Sequence, residues 1–77
     1  MTEQDVFDLV SDALAVPRER IHRESSSRDT SEWDSMGILG ILTALSRRGV
    51  RIEPEDAAKL QTMEGILAEV RKAGKLD

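Results

Sequence analysis

The chain has 77 residues, of which 15 are acidic and 11 basic, giving a formal net charge of −4; it has no cysteine and one histidine. This length predicts one domain, residues 1–77, with a small core. The composition excludes disulfides, a thiol nucleophile and a His-rich zinc site. It also argues against nucleic-acid binding, which needs a basic surface, and no apolar run is long enough to cross a membrane. We expect a cytoplasmic monomer with little catalytic chemistry of its own.

The first helix is predicted from apolar residues at the spacing of one helical face. Thr2 and Asp5 have the spacing of a capping box at its start. Pro17 disfavours helical geometry at the residue before it, so the helix is expected to end near Ala15. The predicted face consists of Val6, Leu9, Val10, Ala13 and Leu14.

Residues 17–34 form a long polar connection whose large apolar residues are Ile21 and Trp33. Connections of this length are uncommon in small domains and often functional. The simplest interpretation is a loop anchored by those two side chains, with one helical turn and a polar turn at Ser25–Ser27.

The second helix is predicted to begin at Ser35, with Asp34 as its N-cap, and to stop at Gly49. Its buried stripe is predicted to be Ile38, Ile41, Leu42 and Leu45.

A short third helix is predicted over Pro54–Leu60, with proline in the first turn, and a fourth from a Thr62 cap to Gly74. The apolar face of the fourth helix is Met63, Ile66, Leu67 and Val70. The fold class is therefore all-α, with three main helices and one short helix around a Leu/Ile/Val core.

Ser35 occupies a chemically distinctive position, at the end of a polar loop and the head of an apolar helix. Unpaired backbone N–H groups and the positive end of the helix dipole favour a phosphate there. On the local pattern alone, however, Asp34-Ser35 before a helix is more commonly only a cap.

The sequence on both sides of Ser35 favours a functional role over a capping role. Asp34-Ser35-Met36, followed by the apolar helix 38–45, resembles the Asp-Ser-Leu attachment motif of acyl carrier proteins. The segments Val16–Ile21, Pro54–Leu60 and Gln61–Ile66 resemble, in the same order, the turn after helix one, the short third helix and the start of the last helix in that family. The resemblance covers residues 3–70.

The resemblance implies a small acyl-carrier-protein-like four-helix bundle in which Ser35 receives 4′-phosphopantetheine from coenzyme A through a phosphopantetheinyl transferase. Asp34 and Met36 would flank the cofactor. The thiol of the arm would carry an acyl or aminoacyl group from a loading enzyme to a downstream synthase or transferase. The chain would thus be a substrate of enzymes, which agrees with its lack of a thiol and with a sole histidine, His22, remote from Ser35.

The second helix departs from the better-known fatty-acid carriers, which present acidic residues there. Gly40 stands where that group often has Glu, and Arg47 and Arg48 end the helix. Residues 35–52 contain three arginines and no acidic residue, a net charge of +3.

A partner interface is predicted on the outward strip of this helix and the residue before the motif. Gly37 and Gly40 are interpreted as permitting close approach by a partner or by the arm. Leu39 is equally well explained as half-buried against the loop, and Trp33 more readily as a loop anchor. The predicted interface residues are Trp33, Met36, Leu39, Gly40, Thr43 and Arg47.

We therefore expect a specialised carrier of the D-alanyl, polyketide, nonribosomal peptide or sugar-polymer type, since Ser35-Met36-Gly37 also resembles the motif of D-alanine carriers. The alternative is an unmodified helical interaction module in which Ser35 is only a cap. A DNA-binding module, to which Arg47, Arg48 and Arg51 could point, is disfavoured by the overall acidity.

Overall fold

The computed structural model describes all residues, 1–77, and contains three α-helices joined by 3₁₀ segments. There is no β-strand, and the only bridge is an isolated antiparallel pair between Ser26 and Thr62. The predicted all-α architecture is confirmed. The α-helices are α1 (Glu3–Leu14), α2 (Ser35–Arg47) and α3 (Met63–Lys72); a 3₁₀ turn covers Arg18–Arg20 and a longer 3₁₀ helix covers Pro54–Gln61.

Helix α1 begins with the predicted capping box. The Asp5 N–H donates to Thr2 Oγ1 at 3.1 Å, and the Thr2 N–H donates to Asp5 Oδ2 at 2.9 Å. Because the Thr2 N–H stabilises the ionised carboxylate, the pKa of Asp5 lies below its usual value. The helix ends where expected, and Ala15 adopts the left-handed conformation with φ 57°. The chain therefore turns before Pro17 is reached.

Helices α2 and α3 start at side-chain caps, as predicted. Asp34 Oδ1 accepts the Gly37 N–H at 2.9 Å, and Thr62 Oγ1 accepts the Gly65 N–H at 3.0 Å. Gly49, with φ 83°, follows the end of α2 in a conformation that glycine adopts without strain. The predicted bounds of both helices therefore hold within two residues.

One core of 17 apolar side chains lies between the helices. The α2 helix contributes Ile41 and Leu45, and the long loop contributes Ile21 and Trp33. On α1, Val6, Leu9, Val10 and Leu14 are buried as predicted. The predicted stripe of α2 is partly wrong. Ile38 and Leu42 are only half-buried, whereas Gly37 is buried, so the face of α2 that points into the core is formed by Gly37, Ile41 and Leu45.

The loop between α1 and α2 is fastened to the other end of the molecule. Trp33 is 1% exposed, and its indole N–H donates to the Leu60 carbonyl at 2.9 Å. The Met63 N–H donates to the Ser25 carbonyl at 3.0 Å, so the loop pairs with the junction before α3. Placing Trp33 at a partner interface is therefore wrong, because a buried side chain cannot touch a partner, and the loop-anchor interpretation is confirmed.

The segment Ser25–Ser27, predicted to be a polar turn, also takes part in the packing of the molecule. Ser25 is buried, and its Oγ accepts the His22 N–H at 2.9 Å. The Ser27 N–H donates to the Gln61 carbonyl at 2.8 Å. None of the helices is both long enough and apolar enough to cross a membrane.

Trp33→Phe is expected to lower the free energy of unfolding by about 1–3 kcal/mol, because the Leu60 carbonyl loses its donor inside the core. Urea unfolding followed by far-ultraviolet circular dichroism measures this, since the variant has no tryptophan fluorescence. The control Leu39→Gln alters an exposed side chain and is expected to stay within about 0.5 kcal/mol of the parent. Equal stability of Trp33→Phe and the parent would contradict the anchoring role.

Candidate functional site

Ser35 is the first residue of α2, and its side chain is exposed. Its hydroxyl makes no hydrogen bond within the chain, and the N–H groups of Ser35 and Met36 have no acceptor. The cap is supplied by Asp34 instead. The interpretation of Ser35 as the helix cap is therefore wrong, and its hydroxyl is free to react.

No group in the chain is placed to activate this hydroxyl. Asp34 Oδ1 is engaged by the Gly37 N–H. The only imidazole, on His22, pairs with Glu24 at 3.2 Å in the exposed loop. A serine hydroxyl is a weak nucleophile without an adjacent base. Any reaction at Ser35 therefore needs a base from another protein.

Close packing at Gly37 sets the position of Ser35. A methyl group at Gly37 would lie 2.5 Å from the Glu32 carbonyl oxygen and 2.6 Å from Leu14 Cδ2. Only a hydrogen fits there, so the first turn of α2 lies directly on the loop and on the end of α1. This corrects the interpretation of Gly37, whose missing side chain admits the protein's own backbone and not a partner.

The loop residue beneath Gly37 is itself held in place. Arg20 binds the Glu32 carboxylate through two nitrogens, at 3.1 and 3.3 Å. These charge-assisted hydrogen bonds lower the pKa of Glu32 below its usual value. With Trp33 anchored next to it, the segment that leads to Ser35 is fixed on both sides.

One groove lies between α2 and the 3₁₀ helix, with Ser35 at its rim. Its volume is about 310 Å³. Ile38 and Leu42 line it, which is why they are only half-buried. The other lining residues are Leu39, Ala57, Ala58 and Gln61. Sequence reasoning missed this groove, since the adjacent alanines are its only local signal.

A second and larger groove, of about 580 Å³, lies between α1 and α2, and we call it the α1–α2 groove. It contains the two exposed large apolar side chains of the molecule, Met36 (74% exposed) and Leu39 (55% exposed). The idea that Leu39 is half-buried against the long loop is therefore wrong. The lining residues are Leu9, Asp12, Ala13, Met36, Leu39, Gly40, Thr43, Ala44, Arg47 and Arg48. All of the predicted outward strip on α2 thus lies on one surface.

A comparison with curated proteins identifies a relative of this chain. The chain is 30% identical over 71 residues to a protein of Bdellovibrio bacteriovorus named acyl carrier protein, and the match covers 91% of each chain. No family model matches the chain. No solved structure matches it significantly.

The two glycines of α2 are expected to respond in opposite ways to alanine. Gly37→Ala should lower the free energy of unfolding by about 1–3 kcal/mol, because the methyl group collides with the Glu32 backbone. At Gly40 a methyl group would lie 3.4 Å from the Ala13 carbonyl oxygen, an ordinary contact. Gly40→Ala should therefore raise stability by about 1 kcal/mol through helix propensity.

Thermal and urea unfolding of the two variants measure this contrast, and each serves as the control for the other. Stabilisation by Gly37→Ala would contradict the close packing that positions Ser35.

Proposed function

Because the chain belongs to the acyl carrier protein family, we propose that Ser35 is the attachment site of 4′-phosphopantetheine, which a phosphopantetheinyl transferase transfers from coenzyme A. The proposal is supported by the exposed hydroxyl of Ser35 at the start of α2, which forms no hydrogen bond within the chain. Asp34 caps the helix, so the Ser35 hydroxyl is not needed for capping. Residues 1–77 act as a single carrier domain.

The residues around Ser35 fit a phosphodiester. The unpaired N–H groups of Ser35 and Met36 are donors for phosphate oxygens, and the positive end of the α2 dipole favours a negative charge. The Asp34 carboxylate accepts the Gly37 N–H and so leaves the N–H groups of Ser35 and Met36 free. Asp34 and Met36 therefore flank the cofactor, the first as a cap and the second through its backbone.

Attachment requires only simple chemistry from this chain. Ser35 Oγ forms a bond to phosphorus, the nucleotide portion of coenzyme A leaves, and the serine proton passes to a base in the transferase. Once bound, the cofactor supplies the thiol that this cysteine-free chain lacks and holds an acyl or aminoacyl group as a thioester. The protein is accordingly a substrate of its partner enzymes and not a catalyst.

The groove between α2 and the 3₁₀ helix supports an apolar cargo. It opens beside Ser35 and is lined mainly by apolar side chains, including Ile38 and Leu42. Each methylene removed from water contributes about 0.8 kcal/mol. An acyl chain resting there would be protected from solvent between enzymes.

We further propose that the carrier serves a specialised pathway in the cytoplasm, of the D-alanyl, polyketide, nonribosomal peptide or sugar-polymer type. Helix α2 has no acidic residue, and its sole charged side chain is Arg47. Enzymes that recognise an acidic second helix would find no complementary charge on it. The partners are a loading enzyme and a downstream synthase or transferase adapted to this surface, and the carrier acts as a monomer.

Incubation with coenzyme A, magnesium and a broad-specificity phosphopantetheinyl transferase is expected to add one phosphopantetheine, measured by intact mass. Ser35→Ala should abolish the increase. The matched control is Ser46→Ala, which removes another exposed serine of α2 and should leave modification complete. No increase with several transferases would favour the unmodified interaction module.

The specialised role is tested with the holo protein in loading assays. The standard fatty-acid transacylase and ketosynthase are expected to use it poorly, and amino-acid-activating or polyketide-type loading enzymes better, by their values of kcat/KM. Efficient turnover by the fatty-acid enzymes would refute the specialised pathway and leave the carrier role standing.

A further inference from the structure

The ion pair between Arg20 and Glu32 lies in the loop that leads to Ser35. Two guanidinium nitrogens each donate to a separate carboxylate oxygen, at 3.1 and 3.3 Å. The side chains of Arg20 and Glu32 are 43% and 40% exposed. Exposed ion pairs add little to the free energy of unfolding, because water screens the charges and the side chains lose entropy. The stability of the fold therefore gives little reason for a two-point contact at this place.

The main chain of Glu32 is the surface against which α2 begins. Gly37 lies so close to the Glu32 carbonyl oxygen that an added methyl group would be 2.5 Å from it. Ser35 and Gly37 belong to the same first turn of α2. Because closely packed atoms transmit a displacement, a movement of the Glu32 main chain also moves the turn that carries the Ser35 hydroxyl.

The ion pair is the contact that joins the Glu32 side chain to a distant part of the chain. The other partner of this carboxylate is the hydroxyl of its neighbour Ser31, at 3.3 Å. Arg20 lies in the 3₁₀ turn Arg18–Arg20, and Arg18 in turn donates to Asp8 of α1 at 2.8 Å. A series of polar contacts therefore runs from α1 through this turn to Glu32, and packing continues it to the start of α2.

We propose that Arg20 and Glu32 are positioning residues for the modification of Ser35. The ion pair holds the Glu32 main chain against Gly37, and so keeps the Ser35 hydroxyl in the position from which it attacks coenzyme A. This inference rests on the proposed function and assigns a role to two residues that act through Gly37. A reaction is fast only while the reacting groups are held in the right geometry. Loss of the pair therefore lowers kcat for modification.

The test is the initial rate of Ser35 modification by a broad-specificity phosphopantetheinyl transferase, over a range of carrier concentrations. Arg20→Gln and Glu32→Gln are each expected to lower kcat about fivefold, with KM within about twofold of the parent value, because the reacting geometry is loosened and the docking surface is kept. The double variant should be no slower than either single variant, since the two side chains act as one unit.

The matched control is Arg23→Gln. Arg23 pairs with Glu3, is exposed to a similar extent and also joins the loop to α1. Glu3 begins α1, whereas Gly37 packs beside Leu14 at the other end of that helix. Arg23→Gln should therefore change kcat less than twofold.

A second readout needs no transferase. In the ¹H–¹⁵N spectrum of the unmodified protein, the amide signals of Met36 and Gly37 are expected to shift in Arg20→Gln and Glu32→Gln. They should stay in place in Arg23→Gln, and the circular dichroism spectra of all variants should match that of the parent. A merely stabilising ion pair would not produce this selective shift.

Parent values of kcat in both Arg20→Gln and Glu32→Gln overturn the positioning role. A loss confined to Arg20→Gln also overturns it, since the transferase would then be responding to one charge and not to the pair. An equal loss in Arg23→Gln does the same, because it would reflect a general loosening of the loop. In each of these cases complete modification at long times leaves Ser35 as the attachment site. Failure to modify the parent at all removes the proposed function, and the positioning role falls with it.

Discussion

The missing side chain of Gly37 is the constraint on which the functional end of this molecule depends. It lets the first turn of α2 lie against the Glu32 carbonyl, where a methyl group would be only 2.5 Å from the oxygen. Glu32 is held by Arg20, and Trp33 is fixed by its hydrogen bond to Leu60. The last residues of the polar loop are thus held by contacts within the chain, and the exposed hydroxyl of Ser35 follows directly after them.

From that fixed point, α2 separates two grooves with different chemistry. The groove toward the 3₁₀ helix is mainly apolar and opens beside Ser35, whereas the α1–α2 groove combines Met36 with the cations Arg47 and Arg48. Leu39 lies on the ridge between them and lines both. In the proposed carrier, an apolar cargo rests in the groove that opens beside Ser35. The net charge of −4 conceals this local positive end.

The sequence predicts this fold well wherever the signal is local. Caps at Thr2, Asp34 and Thr62 depend on residues three positions apart, and all three are confirmed. The loop is different, because the pairing of Ser25 with the start of α3 joins distant segments and leaves no periodic pattern. The buried face of α2 is predicted only in part, for another reason. Its apolar residues cover more than one face, and the buried Gly37 has no side chain to indicate the inward direction. Both grooves follow from these tertiary contacts.

Attachment of phosphopantetheine to Ser35 is tested by treating the protein with coenzyme A and a transferase. Fragmentation mass spectrometry of the tryptic peptide spanning residues 29–47 then locates the modification. This peptide contains three serines: Ser31, Ser35 and Ser46. We expect a single phosphopantetheine, confined to Ser35. A peptide that stays unmodified with every transferase tried, or one modified at Ser31 or Ser46, would contradict this expectation.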